Sequence, residues 1–238
     1  MRRETQNILL VLLGGALLKI GINGDYLRYV KPSQHPWVLA GGAVMLVLGA
    51  VAIVRDVLAH RAESSGHTDD GHGHHHIARS AWLLMLPVLA VFLVAPPALG
   101  SDSVTRTGAR APAQSQAVFP PLPAGDVVPL SLTELVTRAG WDSGGSLNGR
   151  TVELAGFVTH ARGSVLLARM VITCCAADAY PLTVRMQGSR TADYADDTWV
   201  QVTGEVVPGT ATMANRYTPD LVVASVHRIT EPADPYED

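Results

Sequence analysis

Three long apolar stretches crowd the first hundred residues of this chain, and the remainder is patterned like a soluble domain. The first stretch runs from about Asn7 to Val30 and opens Ile8-Leu9-Leu10-Val11-Leu12-Leu13. Its uninterrupted apolar part ends at Lys19, whose stem can lie along a helix while the ammonium reaches an interface. The second, Trp37 to Val54, carries no charge, and the third, Ala81 to Leu99, begins beside Trp82 and contains Pro87, Pro96 and Pro97. Each approaches the ~20 residues a bilayer-spanning helix needs, with aromatics placed for interface anchoring. A buried core helix would explain any one of them, but three in succession without a polar face read as transmembrane helices. Arg2 and Arg3 give the first stretch the basic start of a signal peptide. No small-x-small cleavage site follows Leu18, so it is read as a helix.

Beyond Leu99 the pattern changes. Ser, Thr, Pro and Ala dominate residues 100–126, which reads as a linker. Ser131-Leu132-Thr133-Glu134 is a capping-box pattern opening one short helix, with Gly140 as its stop. Five strand patterns follow, over Thr151–His160, Ser164–Thr173, Tyr180–Met186, Thr198–Val207 and Leu221–Ile229. The short connection from His160 to Ser164 suits a hairpin. Gly156 and Gly204 sit inside strands, where a curved sheet must bend. The expected architecture is therefore three N-terminal transmembrane helices in residues 1–99, a linker over 100–126, and a small OB-like five-stranded β-barrel with a short helix over 127–238.

Charge changes little in this picture. The 238 residues carry a formal charge of −3, and no basic cluster interleaved with aromatics points to nucleic acid. Two cysteines cannot form a disulfide framework. No Ser-His-Asp set, phosphate loop or paired carboxylates mark a hydrolase or transferase, so an enzyme is not expected. With three spans, Arg2, Arg3, Arg55, Arg61 and Arg79 fall on one side of the membrane and Arg28, Lys31, Arg106 and Arg110 on the other. That small excess favours a cytoplasmic N-terminus and an extracytoplasmic C-terminal domain in a multi-pass protein of the cell membrane.

The loop between the second and third stretches, about residues 60–79, contains His67, His72, His74, His75 and His76 among glycines and acids. Neutral imidazole suits zinc, copper and nickel. The flexible spacing lacks the rigidity of a structural zinc site, so the loop fits a weak metal buffer or a solvated low-complexity segment.

The sharper chemical signal is Cys174-Cys175-Ala176-Ala177-Asp178, which holds the only two cysteines of the chain. In a continuous strand adjacent side chains point to opposite faces, and both thiols could not reach one ion. If the strand breaks at Thr173 and the chain turns helically through Cys174 to Ala179, then Cys174, Cys175 and Asp178 share one side and form an open site for zinc or another soft transition metal. A disulfide between neighbours is strained, because adjacent α-carbons lie ~3.8 Å apart and disulfides favour roughly 4.4–6.8 Å. Three readings of the pair stay open: metal ligands, a thiol redox pair, or two small buried residues in an interaction module. Hairpin pairing of His160 near Val165 removes His160 from the site.

Three ordered blocks, Leu147–Val158, Arg169–Ala179 and Trp199–Gly204, together with the N-terminal stretches and a His-rich loop, resemble the YcgQ-like family of bacterial membrane proteins. The Cys-Cys-Ala-Ala-Asp block is the specific part. The resemblance implies an accessory subunit beside a multi-span membrane permease, embedded in the lipid bilayer, with Cys174, Cys175 and Asp178 as its motif residues.

Overall fold

The computed structural model describes residues 3–63, 86, 89, 90, 93, 94, 97–110, 119–188 and 191–237. The chain forms two compact units, one of residues 1–26 and 32–97, the other of residues 27–31 and 98–238.

In the first unit, helices α1 (Arg3–Asn23) and α2 (His35–Glu63) pack against each other. Small residues set their spacing. A Cβ on Gly14 would lie 2.8 Å from the Gly42 carbonyl oxygen, and one on Gly49 would lie 2.7 Å from the Val11 side chain. Such close backbone approach is how helices pair where water supplies no hydrophobic drive. Asn7 Nδ2 donates to Asp56 Oδ2 at 2.8 Å across the pair. Both helices are long and apolar enough to cross a membrane, and only 17% and 11% of their apolar windows are buried, unlike the core helix of a soluble domain.

Two expectations about this region change. The first span ends at Asn23 rather than Val30, because Gly24 takes a left-handed φ of +83° and a 3₁₀ turn, Asp25–Arg28, follows. Among the described residues there are two apolar spanning-length helices, not three. Most of the third expected stretch, and residues 64–79 of the histidine loop, lie outside the described residues, while residues 60–63 form the last turn of α2.

The second unit is built on one mixed sheet: β1 (Val127–Pro129), β2 (Thr151–Ala161), β3 (Ser164–Val171), β4 (Tyr180–Gln187), β5 (Trp199–Val206), β6 (Asp220–Arg228) and β7 (Tyr236–Glu237). Its order is β1-β2-β5-β6-β4-β3-β7, and β2 also pairs with β3. This seven-stranded mixed sheet replaces the expected five-stranded OB-like barrel. The five patterned strands occur at their expected places within one or two residues. The two additions are parallel edge pairings of three and two residues beside Pro129 and Pro235, too short for alternation to register in sequence. The expected linker also holds a helix, α3 (Ser101–Thr107), pinned by Asp197, which accepts from the Ser101 amide at 2.6 Å and hydroxyl at 2.8 Å.

The two glycines act where the sheet changes partners. Phe157 pairs with both Trp199 of β5 and Ala168 of β3, and Gly156 precedes it. A Cβ on Gly156 would lie 2.6 Å from the Ala168 carbonyl oxygen. Gly204 sits at the bulge where the β5–β6 register shifts.

Alternation along the strands feeds two cores. Val152, Leu154 and Val158 of β2, Leu167 of β3 and Val200 and Val202 of β5 pack with Leu132, Leu135 and Val136 of helix α4 (Leu132–Trp141). Phe157, Ala168, Met170 and Ile172 face the other way and pack with Val104 of α3 and Tyr236 of β7. Ser131 caps α4 as the sequence predicts, accepting from the Glu134 amide at 3.0 Å. Glu134 turns instead to Arg138 at 2.8 Å. The remaining amides at the helix start, Leu132 and Thr133, donate to the Glu237 carboxylate at 2.9 and 2.7 Å, so the C-terminal strand closes the helix.

Replacing Gly156 by Val should cost about 1–3 kcal/mol, as overpacking against a fixed backbone does. The thermal midpoint of the full chain in detergent reads this, and an unchanged midpoint would contradict the close approach. Removing the Tyr236 hydroxyl, which accepts from the Leu99 amide at 3.1 Å and donates to the Arg28 carbonyl at 2.8 Å, should cost about 1 kcal/mol in Tyr236→Phe by the same measurement.

Candidate metal site

Val171 pairs with Tyr180, so residues 172–179 are the connection of the β3–β4 hairpin, and the two cysteines lie on it. The β3 ladder stops at Val171 because the chain bends at Thr173 and Cys174. Cys175 is extended, with φ −154° and ψ 168°, and a 3₁₀ turn spans Ala176–Asp178. The turn is therefore not helical from Cys174 onward; the bend, rather than a helix, puts the two side chains together.

Asp178 organises this connection. Its Oδ1 accepts from the Thr173 amide at 2.7 Å, and its Oδ2 from the Cys174 amide at 2.8 Å and the Cys175 amide at 3.4 Å. This is the short-range acceptor role that Asp takes at turns, here reaching back over five residues. A second layer of backbone covers the turn. Val30 forms a β-bridge with Cys175, the Ala176 amide donates to the Tyr29 carbonyl at 2.7 Å, and the Lys31 amide donates to the Cys174 carbonyl at 3.3 Å. No sequence pattern announces this partner, because residues 27–31 lie far away along the chain and look like the tail of the first apolar stretch.

The ligand atoms of Cys174, Cys175 and Asp178 all lie within 4.8 Å of one another. The two sulfurs are 3.7 Å apart and both thiols are free. Two sulfurs each about 2.3 Å from one tetrahedral ion sit roughly 3.8 Å apart, so the pair has the bite of a zinc-sized chelate. Cys174 is exposed and Cys175 half-buried, which leaves a path for an ion. The Asp178 carboxylate, followed by the Cys175 sulfur, raises the Cys174 thiol to about 11. Reciprocally the Cys174 S–H, followed by the Thr173 amide, holds Asp178 down to about 2. The hydrogen bonds that Asp178 accepts are thus at full strength above its ordinary value of 3.8 and are lost as the pH falls through about 2. Once the thiol protons are displaced, two thiolates and a carboxylate with open coordination positions suit a soft divalent ion.

The other sequence candidates lie elsewhere. His160 pairs with Val165 across the hairpin, as expected, and its Nδ1 lies 2.7 Å from Asp196 Oδ1. His67, His72, His74, His75 and His76 lie outside the described residues.

With two apolar helices and a thiol-bearing sheet domain on one chain, comparison with known proteins places it in a family. The sequence matches the DUF1980 N-terminal domain over residues 5–110 and the DUF1980 C-terminal domain over residues 142–237, and the chain belongs to the DUF1980 family. Neither curated proteins nor solved structures give a match to it.

The acid beside the thiol sets its reactivity. In a Cys175→Ser background, Cys174 alkylation should rise about tenfold per pH unit through pH 8–10 without a plateau, where an ordinary cysteine levels off near its pKa of about 8.5. Adding Asp178→Asn should speed the reaction at pH 8 about tenfold, since the larger thiolate fraction is partly offset by lower intrinsic nucleophilicity. Equal rates would show that Asp178 does not hold the thiol protonated.

Proposed function

We propose that this protein is a membrane-anchored accessory subunit of a multi-span permease and binds zinc or another soft transition metal through Cys174, Cys175 and Asp178. The observation that carries the metal reading is the 3.7 Å separation of two accessible sulfurs beside a carboxylate. A thiol pushed up to about 11 is a weak nucleophile at neutral pH, which disfavours the redox-enzyme reading. The exposure of Cys174 disfavours the reading of two buried structural thiols. Support for the permease is of a different kind: the two apolar helices supply an anchor, and the sequence blocks resemble the YcgQ-like permease subunits. In this scheme the sheet domain lies outside the cytoplasm and the histidine loop acts as a weak metal buffer.

An ion must displace the thiol protons, so affinity should climb with pH, about tenfold per unit for each proton released. Cobalt(II) titration of the full chain in detergent, followed by its thiolate charge-transfer absorption, isolates the cysteines from the histidine loop. The band should appear in the native chain and in a variant with His67, His72, His74, His75 and His76 replaced by Ala. It should vanish in Cys174→Ser and Cys175→Ser. A native chain without the band, or serine variants that keep it, would end the metal assignment. Affinity purification of the tagged chain from its own membranes tests the permease, which should co-purify.

A further inference from the structure

A cavity of about 430 Å³ opens on the sheet domain, within the size range of small-molecule sites. Its lining includes Arg162, Arg185, Arg216 and His160, and no carboxylate among the described residues. It shares none of its lining with the cysteine site.

The arginines differ in how they are held. Arg185 is half-buried, and Asp220 Oδ1 lies 3.2 Å from its Nη1. Asp220 is itself fixed, accepting from Gln187 Nε2 at 2.8 Å. The Arg185 Nε is buried with no hydrogen-bond partner among the described residues, although a guanidinium N–H shut away from water needs an acceptor. Arg162 and Arg216 are exposed at the cavity, and neither forms an ion pair among the described residues. Both adopt the left-handed region, with φ of 53° and 57°. The Cβ of any residue is disfavoured there, where glycine or asparagine would be cheaper. The buried hydroxyls of Thr183 and Thr218 lie 2.9 Å apart in the same lining, and only one can donate to the other, which leaves one O–H to donate elsewhere.

We propose that this cavity binds a phosphate-bearing organic anion. Planar guanidinium forks match phosphate oxygens, and a phosphate with up to two negative charges balances more of this lining than a single carboxylate does. The volume exceeds what the phosphate group alone fills, so the ligand carries an organic part. A soluble phosphate ester and a phospholipid headgroup present the same chemistry, and a domain joined to apolar helices has access to both.

The test is calorimetric titration of the full chain in uncharged detergent with glycerol 3-phosphate, with short-chain phosphatidylglycerol, and with glycerate as a carboxylate of similar skeleton. At least one of the two phosphate compounds should bind, and which one does identifies the source. Arg162→Gln and Arg216→Gln should each weaken it about tenfold. Arg228→Gln removes the same charge from an exposed position outside the cavity and should leave binding unchanged. Failure of both phosphate compounds to bind at about 10 mM, equal binding of glycerate, or equal losses in Arg228→Gln and the cavity variants would overturn the proposal.

Discussion

The carboxylate of Asp178 is the acceptor on which the thiol turn depends. Three consecutive amides, from Thr173 to Cys175, point at it, and a strand cannot continue through residues whose N–H groups converge on a single side chain. The same convergence turns Cys174 toward Cys175 and sets the sulfur spacing. One group therefore ends β3, shapes the β3–β4 connection and keeps the outer thiol protonated until an ion or base removes the proton. A separate structural residue and a separate ligand are not needed, and a change at Asp178 alters shape and chemistry together.

The sheet buries residues on both faces of β2 and β3. Residues of opposite parity, Val158 and Phe157 on β2 or Leu167 and Ala168 on β3, enter different cores. The second core exists only because α3 and Tyr236 cover it, and the last strand does three things from two residues. Tyr236 packs into that core, its hydroxyl ties Leu99 to Arg28, and Glu237 closes the start of α4. Arg169 fixes this tail from β3 by donating to the carbonyls of Asp234, Pro235 and Tyr236.

What could be read from the sequence divides along the same line. Local signals were legible: the Ser131 cap, the His160 hairpin, five alternating strands and the two glycines where the sheet bends. The clustering of Cys174, Cys175 and Asp178 was legible only as a condition, because it turned on whether the strand broke. Features made by distant segments were not legible. Two parallel edge strands of three and two residues have no period, and the α4 cap supplied by Glu237 crosses about a hundred positions. The end of the first span was missed because Gly24 and Asp25 interrupt an apolar run that resumes at once, and the resumed part, Leu27–Lys31, belongs to the sheet unit.

That last segment has a consequence for what counts as the domain. The polypeptide enters the sheet unit at Leu27, leaves it after Lys31 and returns at Ala98. A fragment beginning at residue 98 would match the boundary that hydropathy draws, yet it would lack a piece of its own fold. The Ala176 amide, the Cys174 carbonyl and the Tyr236 hydroxyl would all lose their partners, beside the very turn that carries the thiols. The smallest intact unit of this protein is thus discontinuous, and its missing piece is encoded between two membrane-length helices.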